Sequence, residues 1–153
     1  MVTRNCFRLI IYISFFFSIS GILVSEDKMS NIELNINDAY SKYKLKKLKI
    51  IDIRTIKEWK ITGTIPESFL INMHNEDYSE NHNFLEEVKK IVDLNKDTDV
   101  AFICASGARS EIVVNYFREK KYHNTFHIPE GILGKDRDGW LYLGFPIENY
   151  IEQ

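Results

Sequence analysis

The residues best suited to covalent chemistry lie in one seven-residue stretch, Cys104, Ala105, Ser106, Gly107, Ala108, Arg109 and Ser110. An apolar run at 100–103 leads into it, and a helical pattern follows, with Ile112, Val113, Tyr116 and Phe117 on one side and Glu111, Asn115, Arg118 and Glu119 on the other. A thiol between a buried strand and a helix faces the positive end of that helix. The N–H groups of residues 105–110 would then form a nest for an anion, with Gly107 supplying the backbone freedom that such a cradle needs. A thiol of ordinary pKa, about 8.5, is only about 3% thiolate at neutral pH, and helix termini and nearby cations commonly bring it to between about 3.5 and 7.5. Arg109 adds one such cation. The chemistry expected is that of a nucleophilic sulfur handling anionic sulfur or oxygen species. The bland alternative is an inert thiol buried at a strand end.

Other candidates are weaker. Four histidines, His74, His82, His123 and His127, offer a Cys–His hydrolase, yet nothing in the sequence brings one of them to Cys104. His123 and His127 are four apart, as helical zinc ligands are, but they fall in a turn and a strand, so no metal site is expected. Asp136 to Gly139 resembles part of a calcium loop, but Phe145 stands where the closing Glu belongs, so the segment reads as a hydrophilic turn. Thr55 with Glu58 three residues later fits a capping box, which explains Glu58 without catalysis. Trp59 and Trp140 read as core anchors.

The elements that position these residues alternate. Residues 32–36 alternate apolar and polar like an edge strand, Asn37 can cap a short helix at 38–44, and 49–53 is a β-branched run suited to a strand buried on both faces. A helix opens at Thr55 and is broken by Gly63 and Pro66. Residues 69–73 read as a strand, and 84–94 as an amphipathic helix with Glu86 and Lys90 paired on its outer face. After the 100–103 strand and its helix, Trp140, Leu141, Leu143 and Phe145 suggest a closing segment packed back on the sheet. Such alternation implies an α/β fold with a parallel sheet covered on both faces.

At 153 residues, 44% apolar and 27% charged, with 7 Gly and 3 Pro, the chain is sized for one globular domain held by its core. Two cysteines make no disulfide framework. A formal charge of -2, with no basic face interleaved with aromatics, disfavours a nucleic-acid partner. Arg4 and Arg8 precede a run without formal charge at 9–24, and Glu26 and Asp27 follow it. That order is a signal peptide over residues 1–24, with the alternative of an uncleaved anchor at 9–24, the one route to a membrane association. Residues 25–31 then read as a linker, and 32–153 as the domain. An exported, most simply periplasmic or secreted, location is expected. Cys6 leaves with the peptide, Cys104 is then the lone thiol, and the remainder carries 18 bases against 22 acids.

Three ordered motifs carry a resemblance to a known family. The loop Cys104-x-x-Gly107-x-Arg109-Ser110 resembles the active-site loop of the single-domain rhodanese family. Asp52-x-Arg54 followed by Glu58-Trp59, then Gly63, Ile65 and Pro66, is similar to its Asp-x-Arg-x-x-x-Glu-aromatic signature. Gly131-Ile132, Trp140, Gly144 and Pro146 resemble its closing pattern. The resemblance spans residues 32–148 and implies a five-stranded parallel sheet with helices on both faces. It further implies sulfur transfer without a cofactor, in which Cys104 takes sulfane sulfur from a thiosulfate-like or persulfide donor, holds it as a persulfide among the loop amides of Ala105, Ser106, Gly107, Ala108, Arg109 and Ser110, and passes it to cyanide or a thiol, a thioredoxin-like protein among them. Arg109 would help to bind the donor, and Asp52 and Arg54 would be structural. Thr64, Glu67, Ser68 and an insertion at 134–139 depart from the pattern, and Ala105 and Ser106 are neutral where thiosulfate-preferring relatives often carry bases. A Cys-dependent phosphatase usually needs Arg six places after the Cys; here it is five, and the tighter ring favours sulfur. The remaining alternative is a rhodanese-like binding or regulatory module without turnover.

Overall fold

The computed structural model describes residues 31–152, so the signal peptide expected at 1–24 and Cys6 lie outside the described residues. Four strands, β1 (Leu48–Asp52), β2 (Phe69–Leu70), β3 (Asp99–Ile103) and β4 (Thr125–His127), pair in the order β2-β1-β3-β4, all parallel. Four helices, α1 (Ile36–Lys44), α2 (Ile56–Thr62), α3 (Phe84–Leu94) and α4 (Ala108–Glu119), complete the α/β alternation.

The period of two along the strands sorts the core into two layers. From β1, β3 and the residue that follows each, Ile51, Ile53, Val100, Phe102 and Cys104 face α3 and α4, where Val88, Val92, Val113, Val114 and Phe117 meet them. Leu48, Ile50, Ala101 and Ile103 face the other way, onto Ile36 and Ala39 of α1 and onto Ile132 and Trp140 of the closing segment. Trp140 is fully buried, and its indole N–H donates to the Pro146 carbonyl at 3.0 Å. Leu141 and Phe145 pack beside it, whereas Leu143 is exposed.

The sheet has four strands where five were expected. Residues 32–36 pair only once, in a parallel bridge of Glu33 with His127. Leu34 N–H donates to the His127 carbonyl and His127 N–H to the Ile32 carbonyl, both at 2.9 Å. The strand stops there because the Asn35 side chain accepts from the Asn37 amide and starts α1 at Ile36, earlier than the Asn37 cap expected. The strand expected at 69–73 is likewise reduced to Phe69–Leu70. α3 begins and ends where its apolar spacing indicates, and its ion pair across one turn is Lys89 with Asp93 rather than Glu86 with Lys90. The turn around Glu67 and Ser68 forms despite its unusual residues, with Ser68 donating twice to the Ile65 carbonyl and Thr64 paired to Glu148 by two backbone bonds of 2.9 Å. The insertion at 134–139 folds back on itself, Asp138 accepting from the amides of Lys135 and Asp136.

Candidate active site

The order β2-β1-β3-β4 places a topological switch between β1 and β3, and in parallel sheets ligands gather in the crevice beyond the carboxyl ends of strands at such a point. Asp52 and Ile103 are register partners, and the Ile53 amide still donates to the Ile103 carbonyl at 3.0 Å. The two chains then diverge, one to α2 with Glu58, the other to Cys104 and α4 with Arg109.

Cys104, the residue after β3, is 1% exposed and packs against the apolar layer below α4. Its sulfur lies 3.7 Å from the Ser110 hydroxyl. Among the described residues, the backbone amides of 105–110 donate to no backbone or side-chain acceptor. Gly107, at φ +89°, precedes α4 as its cap, and a Cβ there would stand 2.1 Å from the Pro129 carbonyl oxygen. On the opposite side the amides of Ile132 and Leu133 donate to the carbonyls of Cys104 and Ala105, each at 2.9 Å. Ala105 and Ser106 are half-buried and Ala108 is exposed, so these three reach the outer side of the loop.

Arg109 leaves the first turn of α4 and meets Glu58 in a two-point ion pair, Nη1 to Oε2 at 2.9 Å and Nη2 to Oε1 at 2.6 Å. Glu58 also accepts from the amide and hydroxyl of Thr55, so the expected capping box is present and carries a second load. Burial opposes its charge, yet the hydrogen bonds from Arg109 and Thr55 prevail and hold the carboxyl at about 2. The same bonds push the Arg109 guanidinium upward. Beside the pair lies a cleft of about 500 Å³ lined by Lys57, Ile61, His74 and Tyr78.

A rhodanese-like domain profile matches residues 35–134, including every element just described. The chain belongs to the rhodanese-like domain family. An uncharacterized protein of Rickettsia prowazekii is 34% identical over 63% of this chain and 80% of its own length. Among solved structures, a rhodanese-related protein of Thermoplasma volcanium superposes with a TM-score of 0.56 at 26% identity, over 77% of this chain and 98% of that one. A Rhodopseudomonas palustris protein of unknown function, described as a possible tyrosine phosphatase, gives 0.55 at 25% identity over 78% and 86%. A thiosulfate sulfurtransferase of Pseudomonas aeruginosa gives 0.59 at 20% identity over 80% of this chain and 21% of that one, a likeness of fold.

In this rhodanese-like chain Asp52 and Arg54 stand behind the crevice, 0% and 1% exposed. Arg54 Nη2 lies 2.6 Å from Asp52 Oδ2, and Arg54 also donates to Thr62 and to the Gly63 carbonyl, tying the end of β1 to the end of α2. For one of the weaker candidates the sequence indicated no route to Cys104. His127, one of four unremarkable histidines, is buried in β4 with Nδ1 3.5 Å from the Ser110 hydroxyl, while His123 is exposed. The only sequence signal was its place in an apolar β-strand.

Proposed function

We propose that this domain is a sulfurtransferase working through a persulfide on Cys104. The observation that carries the proposal is the Cys104 loop itself, whose amides from Ala105 to Ser110 lack acceptors and so stand ready for an anionic sulfur. The Cys104 thiolate attacks the outer sulfur of a donor such as thiosulfate; the donor's S–S bond breaks and sulfite leaves with the electron pair. The loop amides hold the resulting persulfide anion, and Arg109, held by Glu58, helps to orient the anionic donor at the loop. A thiolate or cyanide acceptor then attacks the outer sulfur, and Cys104 leaves as thiolate, so no external oxidant or reductant is consumed. Arg109 stands five places after Cys104, a ring better matched to sulfur than to a phosphoryl group. The order of charge, apolar run and acids in residues 4–27 supports an exported, periplasmic setting with a thiol acceptor such as a thioredoxin-like protein.

The 1% exposure of Cys104 favours a second reading, a binding module that keeps the fold without turnover. Intact-mass measurement separates the two. Incubation with thiosulfate or another sulfane donor adds one sulfur, about 32 Da, to the wild type and none to Cys104→Ser. Absence of an adduct with every donor tried leaves the binding reading.

A further inference from the structure

We infer that His127 is a positioning residue for Cys104, holding the sulfur's partner Ser110 from the far side. This builds on the reading of Cys104 as the reactive sulfur. Ser110 Oγ is fully buried with three neighbours, the Gly107 carbonyl at 2.9 Å, Cys104 Sγ at 3.7 Å and His127 Nδ1 at 3.5 Å. A hydroxyl has one proton to give and two lone pairs to fill. With the proton on the Gly107 carbonyl, both the thiol and the imidazole approach Oγ as donors. That assigns the proton of a neutral His127 to Nδ1.

Deprotonation of Cys104 changes the hydroxyl's task. Its O–H bond turns about Cβ–Oγ to donate to the sulfur anion, and the Nδ1–H bond continues to donate to Oγ, which polarises the hydroxyl and strengthens its hold on the charge. The S–H proton passes to solvent, the hydroxyl gives up its bond to the Gly107 carbonyl, and no other covalent bond is made or broken.

The cost of keeping an imidazole here supports a role for it. His127 is 2% exposed, its backbone N–H and C=O are bonded to residues 32 and 34, and its Nε2 has no hydrogen-bond partner among the described residues. An aliphatic side chain would fill the same apolar space without an unpaired buried nitrogen. Among the described residues, the one polar side-chain contact the ring makes is to the hydroxyl that touches Cys104. Burial pushes His127 below its ordinary value, against the opposing pull of Glu111 on α4, Glu33 before α1 and Glu130 after β4, which favours the neutral ring. Arg109 and, behind it, Asp52 are the charged groups on the Cys104 side.

The test is the pH dependence of iodoacetamide alkylation of the full-length chain, read by mass spectrometry on the peptide that contains Cys104. His127→Leu is expected to slow alkylation at pH 7 about five- to tenfold and to displace the rate profile to higher pH. His127→Asn, which keeps an N–H near the Nδ1 position, restores the rate to within about twofold. In a Ser110→Ala background His127→Leu has no further effect. An unchanged profile in a folded His127→Leu chain, or an equal loss in the Ser110→Ala background, overturns the inference. Should His127→Leu not fold, long-range 1H–15N spectra of the wild type decide: the Nδ1–H tautomer is expected, and the Nε2–H tautomer overturns it. Alkylation needs no sulfur donor, so a chain with this profile that never takes up sulfur defeats the transferase reading alone.

Discussion

Glu58 of α2 grips Arg109 of α4 at both nitrogens of the guanidinium fork, although the two residues are 51 positions apart in sequence. The pair joins the loops that leave β1 and β3, and it fixes the direction in which the one cation of the Cys104 loop points. Because Arg109 is already matched by a carboxylate, an incoming anion meets a held guanidinium whose charge is partly neutralised. Positioning, more than raw attraction, is what the arrangement provides.

Removing that grip should therefore slow sulfur loading more than it weakens the fold. Glu58→Gln keeps the cap to Thr55 and loses the charge. We expect the rate of adduct formation on Cys104 to fall about tenfold, in stopped reactions followed by intact mass, with the thermal midpoint lowered by only a few degrees. A tenfold loss that disappears at saturating donor would assign Glu58 to donor binding alone.

The same carboxylate sets an acid limit. Its folded value of about 2 lies below the ordinary 4.5, so its contribution to stability is full above about 4.5 and is lost as pH falls through about 2. Urea titrations of wild type and Glu58→Gln should differ at pH 6 and converge near pH 2. Parallel curves across that range would show that the ion pair is too solvated to matter.

His127 acts in the same direction over a different window. Its folded value is depressed by burial, so below about 6.5 the unfolded chain takes up a proton that the folded chain refuses, and stability declines as pH falls. His127→Asn, having nothing to protonate, should flatten the urea midpoint between pH 7 and pH 5.

Sequence and structure agree where the signal is local. The spacing of Phe84, Val88 and Val92 gives α3 its limits, and Thr55 with Glu58 gives the start of α2. The Cys104 loop is equally plain, because its glycine, arginine and flanking strand and helix are contiguous. What escaped depends on distant pairing. The alternation at 32–36 fits a strand, but Asn35 ends it by starting α1, a competition that periodicity does not rank. Glu58 looks fully explained by its cap until β1 and β3 lie side by side and bring Arg109 to it. His127 acquires meaning only because β4 is the neighbour of β3.

Asp52 and Arg54 should answer to stability. Each is essentially fully buried, and Asp52→Ala leaves a guanidinium without its counter-charge, a loss of about 3–5 kcal/mol. Asp52→Ala with Arg54→Met should recover part of it in denaturant titration. Recovery of adduct formation along with stability would confirm that the pair does no chemistry.

Gly107 is the position where the loop tolerates least. Alanine there meets both the φ of +89° and the Pro129 carbonyl, so the loop must shift. We expect Gly107→Ala to lose at least about 1–3 kcal/mol of stability and nearly all adduct formation, while Lys90→Ala, at an exposed site on α3, changes adduct formation by less than about twofold. Comparable loss in both variants would mean that the loop's shape is not what the reaction needs.

If the proposed sulfur transfer runs at Cys104, the depth of this residue would act as a sieve. With 1% of the residue open to solvent, a slim anion would reach the sulfur more readily than a bulky thiol or disulfide. Loading one sulfur would extend the reactive tip by about 2 Å, enough to bring it nearer the rim. A naked thiol would thus be shielded and a charged cargo presented, so the traffic would run one way: small molecules in, larger acquaintances served at the door.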